Sequence, residues 1–154
     1  MDVEKFLNGL DNLFEKKKIN EVPVFLEENY KEAVRENDLS AQFTILNEMM
    51  GFFRDTSQYE KSIKACHQCI DVMQKMGIQG SVHYATSLQN IANSHRAAGL
   101  LKEALQYYME AFRIYERNID GNDYRFASLH NNIALLYQEM GDYETAVAHL
   151  KKAL

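Results

Sequence analysis

The sequence predicts an all-α protein made of stacked antiparallel helix pairs, and three observations predict it. The first is an internal repeat. The segment starting at Ala85 aligns with the one starting at Ala127, an offset of 127 − 85 = 42 residues. Over 28 paired positions, seven are identical: Ala85/Ala127, Asn90/Asn132, Ile91/Ile133, Ala92/Ala134, Gly99/Gly141, Ala104/Ala146 and Ala111/Ala153. Self-similarity at such a period marks units that bury their apolar faces by stacking on one another. The second observation is helical spacing: Leu88, Ile91, Ala92 and His95 fall at i, i+3, i+4 and i+7. The third is composition, since one proline and 7 glycines in 154 residues are too few for the tight turns of an all-β chain.

Each copy then accounts for one helix pair. The first, at about 2–38, is degenerate and aligns at an offset near 40, with Phe6, Leu10, Leu13, Ile19, Leu26 and Tyr30 in the apolar columns. Lys16-Lys17-Lys18 closes its first helix, where cations complement the macrodipole, and Asn20 is placed to cap the second helix ahead of Pro23. In the second copy (42–77), Leu46, Met49, Met50 and Phe53 form the first apolar face. Tyr59, Ser62, Ile63, Cys66, Cys69 and Ile70 form the second. In the third (84–118), Ala104, Leu105, Tyr108, Ala111 and Phe112 make the face that answers Leu88 to His95. Gly99 between them suits a left-handed helix cap. The fourth copy (126–154) repeats this with Gly141, and Asp142 is placed to cap its second helix. Loops at Gly77-Ile78-Gln79-Gly80-Ser81 and Asp120-Gly121-Asn122-Asp123 separate the later copies. The alanine columns supply the small side chains that two helices about 8–10 Å apart need at their crossing points. The whole chain, 1–154, reads as one repeat domain. Its last copy stops at the final alanine column with no polar outer face, which predicts either the N-terminal part of a longer chain or self-association through that face.

Composition narrows the function. The formal charge is −5, with 22 acids against 17 scattered bases, which argues against a nucleic-acid partner. No run of about 18 apolar residues occurs, and the N-terminus is charged where a signal peptide would be apolar, so neither a membrane span nor a leader is predicted. Two cysteines point to a reducing, cytoplasmic setting. Their Cys66-x-x-Cys69 spacing resembles a redox or zinc motif, but both fall in apolar columns and nothing supplies four metal ligands. No metal and no cofactor is therefore expected. His95 and His130 also occupy core columns, while His83 and His149 have no evident partner. The carboxylates are dispersed, with no phosphate-cradling loop or nucleophile elbow, so no enzyme is expected.

The columns resemble the tetratricopeptide repeat. The match runs through Leu88, Ile91-Ala92, His95, Gly99-x-Leu101, Ala104, Tyr108 and Ala111. In the last copy it runs through His130, Ile133-Ala134, Tyr137, Gly141-x-Tyr143, Ala146, Leu150 and Ala153. The period of 42 and the missing proline after the second helix resemble the kinesin light chain type and the repeats of bacterial peptide-pheromone receptors. The resemblance implies a right-handed α-solenoid whose inner wall is lined by the first helix of each pair. It also implies a scaffold for protein–protein interaction.

On that wall the residues left over from the core faces are rich in amides. Asn47, Gln89 and Asn131 form one column; Asn90 and Asn132 stand beside it, with Asn93 a turn away. An amide offers a donor and an acceptor, which suits the N–H and C=O groups of an extended peptide. Arg54 and Arg96 share a further column. Arg54 has Asp55 and Glu48 nearby, whereas Arg96 has no acid on its own stripe and is the expected hook for a carboxylate. The reading is a groove for a short extended peptide with an acidic group, contacted by Asn47, Arg54, Gln89, Asn90, Asn93, Arg96, Asn131 and Asn132. Two alternatives stand beside it: a sensor domain in which a signalling peptide switches an effector, and a self-association module whose groove is idle.

Overall fold

Short polar side chains start most of the helices. In the computed structural model, which describes residues 1–154, Asp2, Asp38, Ser81, Asp123 and Asp142 each accept a hydrogen bond from a backbone N–H of the first turn they precede. The elements are α1 (Val3–Glu15), α2 (Val22–Arg35), α3 (Leu39–Asp55), α4 (Tyr59–Met76), α5 (Val82–Ala97), α6 (Leu101–Asn118), α7 (Tyr124–Glu139) and α8 (Tyr143–Ala153). A single 3₁₀ turn, Ile19–Glu21, lies between α1 and α2. There is no strand. Asn20 falls inside that 3₁₀ turn and is not the cap of α2; Glu21 takes the cap position without a side-chain hydrogen bond, and Pro23 occupies the first turn.

One device ends the first helix of every pair. Lys17, Ser57, Gly99 and Gly141 all sit in the left-handed region, at φ of 58°, 60°, 80° and 82°. The next residue's N–H reaches back five residues: Lys18 to Leu13 O, Gln58 to Phe53 O, Leu100 to His95 O and Asp142 to Tyr137 O, at 2.7–2.9 Å. The two glycines adopt this conformation without steric cost, whereas Lys17 and Ser57 carry about 1 kcal/mol of strain each. The turn therefore forms even where the residue is not a glycine.

The chain falls into two compact units, Met1–Gly77 and Ile78–Leu154. In the first, α1 packs on α2, α2 on α3, and α3 on α4. Its core holds Phe6, Leu10, Leu26, Ile45, Leu46, Met50, Phe53, Cys66, Cys69 and Met73. Gly9 lies where a Cβ would come within 2.8 Å of the tip of the Phe25 ring, so a side chain here would push that ring aside. Phe25 in turn stacks on Phe6, with centroids 5.6 Å apart. This contact, absent from the later pairs, is how the degenerate copy closes. Ser62 stands in the alanine column of α4, fully buried, and its hydroxyl donates to the Met50 carbonyl at 2.8 Å.

In the second unit, α5 packs on α6, α6 on α7 and α7 on α8, and α5 also touches α7. Leu88, Ile91, Ala92, Ala104, Tyr108, Ala111, Tyr115, Leu129, Ile133 and Leu136 are buried. α5 is covered on most of its circumference, with Ser87, Gln89, Ser94 and His95 buried alongside its apolar residues. α8 differs from the other second helices. Its columns at Tyr143 and Leu150 are exposed, as is Val147, and only Ala146 is buried. Nothing packs on the side of α8 turned away from α7.

Candidate functional site

The amide-bearing residues of the second unit lie on α5 and α7, the first helices of its two pairs. Asn90, Asn93 and Arg96 are half-buried along α5, while Asn131 is exposed and Asn132 half-buried on α7. A network organises one end of this surface. The Tyr108 hydroxyl, rising from the core of α6, donates to Asn93 Oδ1 and accepts from Arg96 Nε at 3.4 Å. Arg96 Nη1 then donates to Glu139 Oε1 at 2.9 Å. Burial pulls the guanidinium's proton affinity down, but the hydrogen bonds and charge from Tyr108 and Glu139 more than offset it, so Arg96 is held firmly charged.

Arg96 is therefore not the uncommitted cation that its own helix suggests. Its acid comes from the end of α7, one position past the column that aligns with Arg96 itself. Glu139 engages one terminal nitrogen of the guanidinium and is itself exposed. Gln89 also departs from expectation. It is buried, and its Nε2 donates to Ser128 Oγ at 3.3 Å. Its amide thus ties α5 to α7. The amides of Asn131 and Asn132 make no hydrogen bond within the chain and keep their full donor and acceptor capacity.

In the first unit, Asn47 is half-buried on α3, where its Nδ2 donates to Phe43 O at 2.9 Å and lies 3.7 Å from Cys69 Sγ. Arg54 Nε lies 3.5 Å from Asp55 Oδ1, the neutralisation that the sequence suggested. Asn47 borders a cleft of about 340 Å³ whose walls include Leu10, Phe14, Ile19 and Phe52. Phe14 and Phe52 meet across it with ring centroids 6.2 Å apart. Neither aromatic stood out in the repeat columns: Phe14 lies on the poorly aligned α1, and Phe52 aligns with Ser94.

Two further groups bear on chemistry. Cys66 and Cys69 form no disulfide and are fully buried, and burial, with the neighbouring thiol, pushes Cys69 up to about 12. The Cys69 thiol is not available as a thiolate near neutrality. His149 does have a partner: its Nδ1 lies 2.9 Å from Nδ1 of His130, and its ring stacks on Tyr137 with centroids 5.8 Å apart. Burial holds both imidazoles below their ordinary proton affinity, helped at His130 by His149 and then Lys152, and at His149 by Lys152.

The arrangement is matched by known folds. BtubC (BKLC) from P. vanneervenii superposes with a TM-score of 0.84 over 98% of this chain at 20% identity, and the chain spans 60% of that protein. Nearly identical TPR-like repeats described as kinesin light chain from Podosopora anserina give 0.83 over 99% at 14% identity, spanning 75% of that chain. MamA gives 0.64 over 99% at 20% identity, spanning 76% of that chain. At these identities the likeness establishes an all-α fold of the TPR solenoid class. No curated protein matches the sequence significantly. Family models described as tetratricopeptide repeat match residues 42–117 and 127–154. The chain, with its paired helices, left-handed caps and alanine crossings, belongs to the tetratricopeptide repeat family.

Proposed function

We propose that this protein–protein interaction scaffold holds a short extended peptide against the amides of α5 and α7. The supporting observation is that Asn131 and Asn132 leave their amides without a partner in the chain, one exposed and one half-buried. Poor helix formers on a helix surface are otherwise a cost that lysine or glutamate would avoid. Asn90 and Asn93 extend the surface along α5, with Arg96 at its end. Glu139 then acts as a placeholder, occupying Arg96 until a ligand side-chain or C-terminal carboxylate replaces it. In the first unit, Asn47 and Arg54 offer a second, separate contact region beside the Phe14–Phe52 cleft. The two buried thiols fit a reducing compartment such as the cytoplasm.

The test is selection of peptides from a display library on the immobilised protein, followed by titration of the best binder. Asn90→Ala/Asn132→Ala should abolish binding while leaving helicity intact, and Glu139→Gln should strengthen binding of acidic peptides. Full affinity in the double variant would remove the assignment. A signalling peptide that controls a linked effector is the regulatory form of the same reading. Self-association is a second reading, favoured by the exposure of Val147, Leu150 and Leu154 around a cleft of about 500 Å³. A monodisperse monomer in sedimentation at high concentration would exclude it.

A further inference from the structure

We propose a second binding site in the first unit, between α2, α3 and α4, that takes an acidic peptide segment carrying a large apolar side chain. The site is a cleft of about 370 Å³ lined by Tyr30 and Lys31 of α2, Met49 and Phe53 of α3, and Lys61, Lys64 and Gln68 of α4, with Glu27 at its edge. It shares no residue with the cleft beside Asn47. Its character rests on two independent features of the structure, one of charge and one of shape.

The charge is concentrated. The protein carries −5 overall, yet three lysines converge here against one lining carboxylate. Lys61 and Lys64 are one helical turn apart on α4 and face Lys31 across the cleft. All three are exposed, and none is in an ion pair. Elsewhere the cations nearest candidate surfaces are already committed, Arg54 to Asp55 and Arg96 to Glu139. Three unpaired ammonium groups around one cleft repel each other, and an incoming carboxylate relieves that repulsion.

The shape selects against a bare anion. The floor is Phe53 and Met49, both buried core residues whose edges close the cleft, and Lys61 Nζ stands 5.4 Å from the Phe53 ring centroid. A small inorganic ion would leave this apolar floor wet. A Leu or Phe side chain would dry it and set flanking carboxylates among the lysines. A concave cleft of this size admits one side chain and favours a peptide over a flat lipid surface.

The test is fluorescence anisotropy with a fluorescein-labelled decapeptide in which four glutamates stand on each side of a central Leu-Phe pair. The protein should bind it saturably, and added salt should weaken it. Lys61→Glu/Lys64→Glu should weaken it by about tenfold or more. The same probe with Ser-Ser at its centre should bind several-fold more weakly. Circular dichroism monitors folding; should the reversal perturb it, Lys31→Gln/Lys64→Gln, which removes charge without adding any, must still weaken binding. The same titrations in an Asn90→Ala/Asn132→Ala background, where the amide surface is disabled, must still show the loss on Lys61→Glu/Lys64→Glu, so that this site and the amide surface stand or fall separately. The proposal is overturned by absence of saturable binding, by equal affinity in the charge-reversed variant, or by tighter binding of an all-lysine control peptide. Capture by phosphatidylserine vesicles without peptide binding would overturn it in favour of a lipid surface.

Discussion

Replacing Tyr108 by phenylalanine deletes one oxygen at the junction of core and candidate surface while leaving the ring in place. That ring is fully buried, and its hydroxyl links α6 to both Asn93 and Arg96. A neutral hydrogen bond contributes about 1 kcal/mol net, and one to a charged group about 1.5–3 kcal/mol. Here the charged contact is long, at 3.4 Å, and both Asn93 and Arg96 are half-buried, so water can take over much of the lost bonding. The expected cost therefore sits near the low end, about 1–1.5 kcal/mol. At roughly 2–4 °C per kcal/mol for a chain of this size, the melting temperature should fall by about 3–5 °C. Calorimetry at neutral pH measures it, with Tyr124→Phe as the control, because Tyr124 is 78% exposed and its hydroxyl bonds to nothing. Binding of a selected peptide should weaken in parallel, since Asn93 and Arg96 lose their brace. An unchanged melting temperature together with unchanged binding would show that Tyr108 holds neither residue.

Other outcomes follow from the same geometry. Ala104→Glu places a carboxylate at a fully buried crossing, and should cost about 3–5 kcal/mol, read as a melting temperature lower by roughly 10 °C. Ala104→Ser should cost under about 1 kcal/mol, because Ser62 occupies the equivalent place and bonds the Met50 carbonyl, whose counterpart here is that of Ala92. If both variants melted like the parent, the crossing would not be packed as described. The histidine pair predicts a pH dependence. Both imidazoles are held below the unfolded value of about 6.5, so the unfolded chain binds more protons as pH falls. Their contribution is complete above about pH 6.5 and is lost progressively below it. His149→Gln should flatten the dependence of melting temperature between pH 7 and 5; an unaltered slope would exclude the pair as its source.

What could be read in the sequence is what repeats or is local. The period of 42 places Ile91 with Ile133 and Ala104 with Ala146 because stacked identical units need the same side chain at the same crossing. The helix faces follow from 3.6-residue periodicity, and Asp142 and Gly141 from the orphan groups that every helix end must satisfy. The repeat signal fades in α1, where the Phe6–Phe25 stack over Gly9 replaces the later packing. Lys17 and Ser57 occupy the same left-handed turn as the glycines. No sequence rule marks a lysine for that conformation; it is imposed by the helices on either side.

The amide stripe itself was legible, but the commitments of its members were not. Gln89 and Asn131 share a column, yet one is buried against Ser128 and the other faces solvent. Arg96 looked unpaired because Glu139 lies on another helix and outside its column. His149 meets His130 only when α8 folds back on α7, and Lys31 joins Lys61 and Lys64 only when α2 and α4 flank α3. Periodicity decides which face of a helix is buried, because that depends on the helix alone. Which polar group satisfies which other depends on distances of a few ångströms between residues far apart in the chain, and these exist only once the helices have packed.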